Sequence, residues 1–217
     1  MRPGFPTEAT GPIGLVAAAA IETHAVRRTA VAGLHRRNLG RSTIAVPAGD
    51  TAMTAQRVPF TPAGYHSVTS YLIVDNAVKA LEFYHNAFGA TEIFRLPMPD
   101  GDGGKKIGHA EIQIGDTRVM LADEFPQMNA LSPAHRGGAT ASFTIYVANA
   151  DDAYARALKA GAKADRPVTD EFWGDRIGTV VDPFGHKWSL ATHIEEVAPE
   201  EIQRRMATSW SRPQANA

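Results

Sequence analysis

The chain has no cysteine among its 217 residues, so disulfides, thiolate metal sites and a cysteine nucleophile are all excluded. That composition is compatible with a cytoplasmic location, which is the expectation. Charge of one sign is lacking too. Of 22 basic and 23 acidic side chains, six Arg and three acids precede Met53, leaving 16 against 20 afterwards. A nucleic-acid binder would carry a basic excess on its folded part, so nucleic acid is set aside as a partner. Long apolar runs are also missing. The longest, residues 13–21, falls well short of the ~20 residues that span a bilayer. Only Arg2 supplies charge ahead of it and Glu22 follows at once, which makes a poor signal peptide. No membrane partner is expected.

Residues 1–52 hold one Phe and neither Trp nor Tyr, and are rich in Ala, Arg, Gly and Thr. Ala and Arg would permit a weak helix over residues 14–39. Gly33 interrupts it, and its apolar positions make no clean stripe. The expectation is a disordered N-terminal extension over residues 1–60. Two alternatives stay open: translation starting at Met53, or an Arg-bearing targeting peptide.

From residue 61 the pattern sharpens. Residues 66–74 (HSVTSYLIV) are β-branched and aromatic, as a strand requires. Residues 76–88 follow with helical spacing of Val78, Ala80, Leu81, Phe83, Tyr84, Ala87 and Phe88. Asn76 suits an N-cap there, and Gly89 a C-terminal left-handed turn. Three strands are expected at 91–96, 108–114 and 117–123, the last two joined at Gly115-Asp116. The order then repeats: strand 141–147, helix 151–160, strands 163–168, 176–182 and 187–193. The offset is about 70 residues, visible as Phe88-Gly89-Ala90 against Ala160-Gly161-Ala162. Asp182-Pro183-Phe184-Gly185 supplies the final tight turn. The fold class is therefore α+β, with two tandem βαβββ modules (66–124 and 141–194) within a domain spanning 61–197. Each unit leaves one sheet face bare, so the pair is expected to build a curved mixed sheet with a cleft. Residues 198–217 read as a terminal helix and tail, the helix at 199–209 packing on a module edge or across a dimer interface.

Three stretches, YLIVDNAVKALEFYHNAFGATE, GHAEIQIGDTRVMLADE and FWGDRIGTVVDPFGHKWSLATHIEEV, together resemble the vicinal-oxygen-chelate superfamily. That superfamily includes glyoxalase I, extradiol dioxygenases, and fosfomycin and bleomycin resistance proteins. The FWGDR…DPFGHKW…ATH run is similar to its PhnB-like branch. The resemblance covers about residues 66–197, and it speaks for fold more than for function, since one fold hosts many chemistries. It implies a small-molecule ligand in the cleft between modules, and a homodimer in which one chain's first module meets the other's second.

In the superfamily's enzymes a divalent metal sits on His and Glu from the first and last strands of each module. By the repeat, those positions here fall near Thr69, Met120, Ser142 and Ser189. Hydroxyls and a thioether are poor donors for Zn²⁺, Fe²⁺ or Mn²⁺, so no cofactor is expected. A displaced divalent metal site on His109, Glu111 and His193 is the alternative, because alternation puts His109, Glu111 and Gln113 on one strand face and His193 with Ser189 on another. The candidate ligand-binding residues are Tyr71, His109, Glu111, Met120, Trp173, Asp175 and Arg176. Trp173 offers a stacking platform and Arg176 a charged anchor, against a structural reading in which Asp175 pairs with Arg176. His193 is the best guess for an acid–base group, because histidine titrates near neutrality. Trp188, Leu190, Phe83 and Tyr84 are expected to be core. The glycine-rich stretch from Gly101 to Lys106 lacks the spacing of a phosphate-binding loop and reads as a hairpin loop. The leading functional expectation is a metal-free small-molecule binder. The alternatives are a metal-dependent lyase or dioxygenase, and a protein that sequesters an antibiotic.

Overall fold

The structure is a computed structural model that describes residues 58–98 and 105–210, with side chains to residue 208. The expectations placed on residues 1–57, the tip of the Gly101 loop and the tail from residue 211 lie outside the described residues.

The first module runs β1 (Ser70–Val74), α1 (Ala77–Phe88), β2 (Thr91–Pro97), β3 (Ile107–Ile114) and β4 (Thr117–Asp123). A linker follows with a 3-10 turn (Pro126–Met128) and a one-turn helix α2 (Pro133–Arg136), neither of which the sequence pattern announces. The second module is β5 (Ser142–Tyr146), α3 (Ala150–Ala160), β6 (Lys163–Asp170), β7 (Asp175–Val181) and β8 (Lys187–His193), and α4 (Pro199–Trp210) closes the described chain. The strands form two four-stranded mixed sheets, one per module, in the orders β1-β4-β3-β2 and β5-β8-β7-β6. In each, the first strand lies parallel to the last and the other pairs are antiparallel. The tandem βαβββ architecture is thus present.

Local chemistry sets the helix ends. The Asn76 side chain accepts from the Lys79 amide at 3.0 Å, and Gly89 adopts φ +68 to end α1. In α3 the cap is Asn149, accepting from the Asp152 amide at 3.1 Å, so the helix begins one residue before the expected Asp151. β1 starts at Ser70 instead of residue 66. Its partner β4 emerges from the Gly115-Asp116 turn at Thr117, and Ser70 already pairs with Val119. Residues ahead of Val68 therefore have no strand to pair with.

The modules meet through their helices. Ala77, Ala80 and Ala87 of α1 and Ala153 and Ala157 of α3 are fully or nearly buried in one core with Leu72, Leu121, Phe184 and Trp188. Small residues let the two helices approach closely. The aromatic residues expected to be core are so: Trp188, Tyr84 and Phe83 pack as a cluster with Phe88 and Phe184. Asp182, 3% exposed, sits at the centre of this joint. Tyr84 Oη and Trp188 Nε1 donate to its Oδ2 at 2.8 and 2.9 Å, while the Phe184 and His186 amides donate to Oδ1. Arg156 Nε donates to the Ala87 carbonyl at 2.9 Å, and His186 Nε2 to the Ile73 carbonyl at 3.1 Å. With both helices used at the joint, the second face of each sheet carries neither of them.

Candidate functional site

On the second face of module one, the ladder aligns Tyr71, Met120, Glu111 and Phe94 in one row, with Leu96 beside His109 in the next. The Tyr71 hydroxyl and His109 Nδ1 are 2.9 Å apart, and His109 Nε2 lies 3.4 Å from Glu111 Oε1. In a neutral imidazole with its proton aimed at Glu111, Nδ1 is left to accept from the Tyr71 phenol. His109 and Glu111 are 4% and 6% exposed, whereas Tyr71 keeps 38% of its surface. Burial, with the Glu111 carboxylate adding to it, pushes the Tyr71 phenol up to about 12. Tyr71 is therefore a phenol that donates or accepts hydrogen bonds at neutral pH, not a phenolate. Arg118 Nη1 approaches Glu111 Oε2 at 3.6 Å, and its guanidinium lies 4.6 Å from the Tyr65 ring centroid. Glu111 Oε2 and Arg118 Nε are both buried without a hydrogen-bond partner.

Module two presents a different cluster. Asp175, 5% exposed, accepts from His193 Nδ1 at 2.8 Å, Tyr146 Oη at 3.0 Å and Trp173 Nε1 at 3.1 Å. Burial alone would raise this carboxyl, but the three donors together outweigh it and leave it below its usual value. The hydrogen bond to Asp175 first, and then Glu196, raise His193. Arg176 points the other way. It forms ion pairs with Asp151 and Asp170, each at 2.6 Å. This corrects one expectation, since Asp175 does not pair with Arg176, whose guanidinium is held by two other carboxylates. Trp173 is likewise committed at its polar edge.

A groove of about 470 Å³ lies where the two modules adjoin. Tyr71 and Ile73 of β1, Phe143 and His186 of module two, and Leu131 and Arg136 of the linker contribute to its walls. Its volume is in the range of small-molecule sites. Tyr71 belongs to both this groove and the polar row behind it.

The positions that would hold a metal by the repeat do not fit one. Thr69 Oγ1 is turned to the His66 carbonyl at 3.4 Å, and Ser189 Oγ is 3.2 Å from Thr179 Oγ1. Met120 and Ser142 bring only a thioether and a hydroxyl. Within one chain the displaced set is not brought together: His109 and Glu111 lie in module one and His193 in module two, and among the described residues of a single chain no three His, Asp or Glu side chains are grouped to hold an ion.

Four participants were not named from sequence. Arg118 stands two residues before Met120, so alternation from Met120 puts it on the same face; that signal was available. Tyr146 alternates with Ser142 in the same way. Phe94 pairs with Glu111 across a register shift, and Tyr65 arrives through a turn at Pro62, neither of which a pattern reveals.

Two helix-joined βαβββ modules with paired mixed sheets define a protein of the vicinal-oxygen-chelate fold. The chain belongs to the Glyoxalase/Bleomycin resistance protein/Dioxygenase superfamily, whose family model matches residues 48–190. It is 41% identical over 145 residues to the uncharacterised protein Mb0911c of Mycobacterium bovis, an alignment covering 65% of this chain and 93% of that one. The uncharacterised protein Rv0887c of Mycobacterium tuberculosis matches at the same identity, with 83% of its length covered. Among solved structures, TioX from Micromonospora sp. ML1 is similar at 26% identity, with 58% of this chain and 98% of that one covered and a TM-score of 0.46. A PhnB protein from Bacillus cereus aligns at 16% identity, covering 58% and 99%, with a TM-score of 0.47.

Proposed function

We propose that the chain binds a small organic molecule in the groove between its modules and on the adjoining face of module one, without a metal ion. The observation that carries this reading is Tyr71. Its ring lines an apolar groove of suitable volume, and its phenol is coupled to the buried His109–Glu111 pair. Apolar walls with a few placed polar groups are what small-ligand sites require. The metal-dependent lyase or dioxygenase reading is disfavoured by donor chemistry, since the repeat positions offer hydroxyls and a thioether. Sequestration of an antibiotic is a special case of the proposed binding, distinguished by the identity of the ligand.

The protein works as a homodimer in this reading. Leu96 and Tyr146 are exposed on sheet faces that carry neither α1 nor α3, which favours a second copy as cover. The proposed location is the cytoplasm; among the described residues no helix is long and apolar enough to cross a membrane.

The test is a thermal-shift panel of aromatic metabolites and antibiotics, with light scattering for the oligomer and elemental analysis for metal. A ligand at 100 times its Kd stabilises by about 2.7 kcal/mol. Thr140→Trp, which fills the groove from an exposed linker position, is expected to abolish that shift. Stoichiometric metal in the purified protein, or equal shifts in wild type and Thr140→Trp, would overturn the reading.

A further inference from the structure

Glu111 and Arg118 form an incomplete pair. Glu111 Oε2 is buried and accepts no hydrogen bond; its nearest cation, Arg118 Nη1, stands at 3.6 Å, outside hydrogen-bond range. Arg118 Nε is also buried and donates to nothing. Neither atom has a partner within hydrogen-bond range, and the one neutral polar group beside both residues is the Tyr65 phenol. Buried polar atoms are paired in the great majority of cases, so two adjacent exceptions on one face call for an explanation. Opposite charges narrow what could supply the missing partners. A carboxylate would meet Arg118 but be repelled by Glu111. An ammonium would meet Glu111 but be repelled by Arg118. A neutral group with a donor and an acceptor on neighbouring atoms satisfies both at once.

We infer that the module-one face takes a ligand bearing such a neutral donor–acceptor group, of which a carboxamide is the simplest, with its apolar body against Tyr71 and Phe94. The inference rests on the reading that this face holds a small molecule, and it adds the chemical class. Both rings are partly exposed, and both lie 5.5 Å from the His109 ring centroid, so they frame one aromatic surface above the polar pair. The pair itself is roofed by the segment ahead of β1. Gly64, at φ +82, comes so close that a Cβ there would lie 2.9 Å from Arg118 Nε and Nη2. Tyr65 then stacks over the guanidinium with its phenol facing both Glu111 and Arg118; burial first and the Glu111 carboxylate next raise that phenol, while Arg118 opposes them. The turn is held by the Tyr65 amide donating to the Pro62 carbonyl at 3.1 Å, and the next turn by the weak Thr69–His66 contact. A ligand reaches Oε2 and Nε by displacing the Gly64–Tyr65 turn, and its neutral group takes the place of the Tyr65 phenol between Glu111 and Arg118.

The probes are benzamide, benzoate and benzylamine, which share a ring and differ in the group presented. Titrations at neutral pH are followed by NMR on the Tyr71, Phe94 and His109 resonances. Benzamide is expected to bind at least about ten-fold more tightly than either ion, since each ion leaves one buried atom unpaired and adds a repulsion. Glu111→Gln should raise benzoate affinity, and Arg118→Gln should raise benzylamine affinity. A merely structural role for the pair would weaken all three probes together. Melting curves of both variants establish that they fold, and Tyr65→Phe, which keeps the ring and the roof, serves as the mild variant expected to retain the order of preference. Equal binding of the three probes, no binding of benzamide, or variants that leave the preference unchanged would each overturn the inference. If panel ligands still bind at Tyr71 in that case, only the chemical class has failed. If nothing binds, the small-molecule reading fails with it.

Discussion

Asp175 and His193 illustrate how one buried carboxylate organises a surface. Three donors from three separate elements converge on Asp175, so its charge is the fixed point and the imidazole is the variable. With Nδ1 bound to Asp175, His193 Nε2 is the atom that exchanges protons. It faces Glu196 Oε1 at 3.3 Å. His193 has its folded-state value raised above the ordinary 6.5, so its contribution to stability is complete below 6.5 and fades as pH rises through the higher folded value. Asp175 is lowered from 3.8, so its contribution is complete above 3.8 and fades as pH falls through the lower folded value. The cluster should stabilise most between those two limits. An NMR titration of the His193 ring is expected to give a midpoint above 6.5, and Asp175→Asn to bring it down. A midpoint at or below 6.5 in the wild type would show that the bond to Asp175 is not made in solution.

At the scale of the element, the local signals were the legible ones. Asn76, Gly89 and Gly161 mark helix ends through backbone chemistry that acts within four residues, and each does so in the structure. Asn76→Ala is expected to lower stability by about 1 kcal/mol in a urea melt, through loss of the bond to the Lys79 amide; no measurable change would mean the cap is replaced by water at no cost. Strand faces were legible as well, because alternation has a period of two: His109 and Glu111 share a face, and Trp188 and Leu190 turn to the core. What could not be read was which partner each polar side chain meets. Tyr65 reaches Arg118 from 53 residues away, and Asp175 takes Tyr146 in preference to the adjacent Arg176, which finds Asp151 on α3. Such choices depend on where strands lie side by side, and sequence spacing carries no record of that. Gly178 is a similar case. A Cβ there would lie 2.7 Å from Val168 Cγ2 and 2.8 Å from Tyr154 Cδ2, a constraint set by β6 and α3 together.

Across the whole molecule, the joint at Asp182 decides whether two modules behave as one. Its carboxylate accepts from Tyr84 of module one and from Trp188, Phe184 and His186 of module two, within a core that contains helix residues from both. Removing the Tyr84 hydroxyl leaves Oδ2 with one donor, Trp188, so Tyr84→Phe is expected to cost about 1–2 kcal/mol. Asp182→Ala strands four donors in a dry interior, and a loss of about 3 kcal/mol or more is expected. Because the bonds cross the joint, the loss should appear in a single unfolding transition, with Trp fluorescence and far-UV circular dichroism moving together. A separate early transition for one module, present already in the wild type, would mean that the joint does not couple them. Should Tyr84→Phe alone split the transition, the aromatic cluster around Trp188 would be too weak to hold the helices together, and that one hydrogen bond would be what makes the pair cooperative.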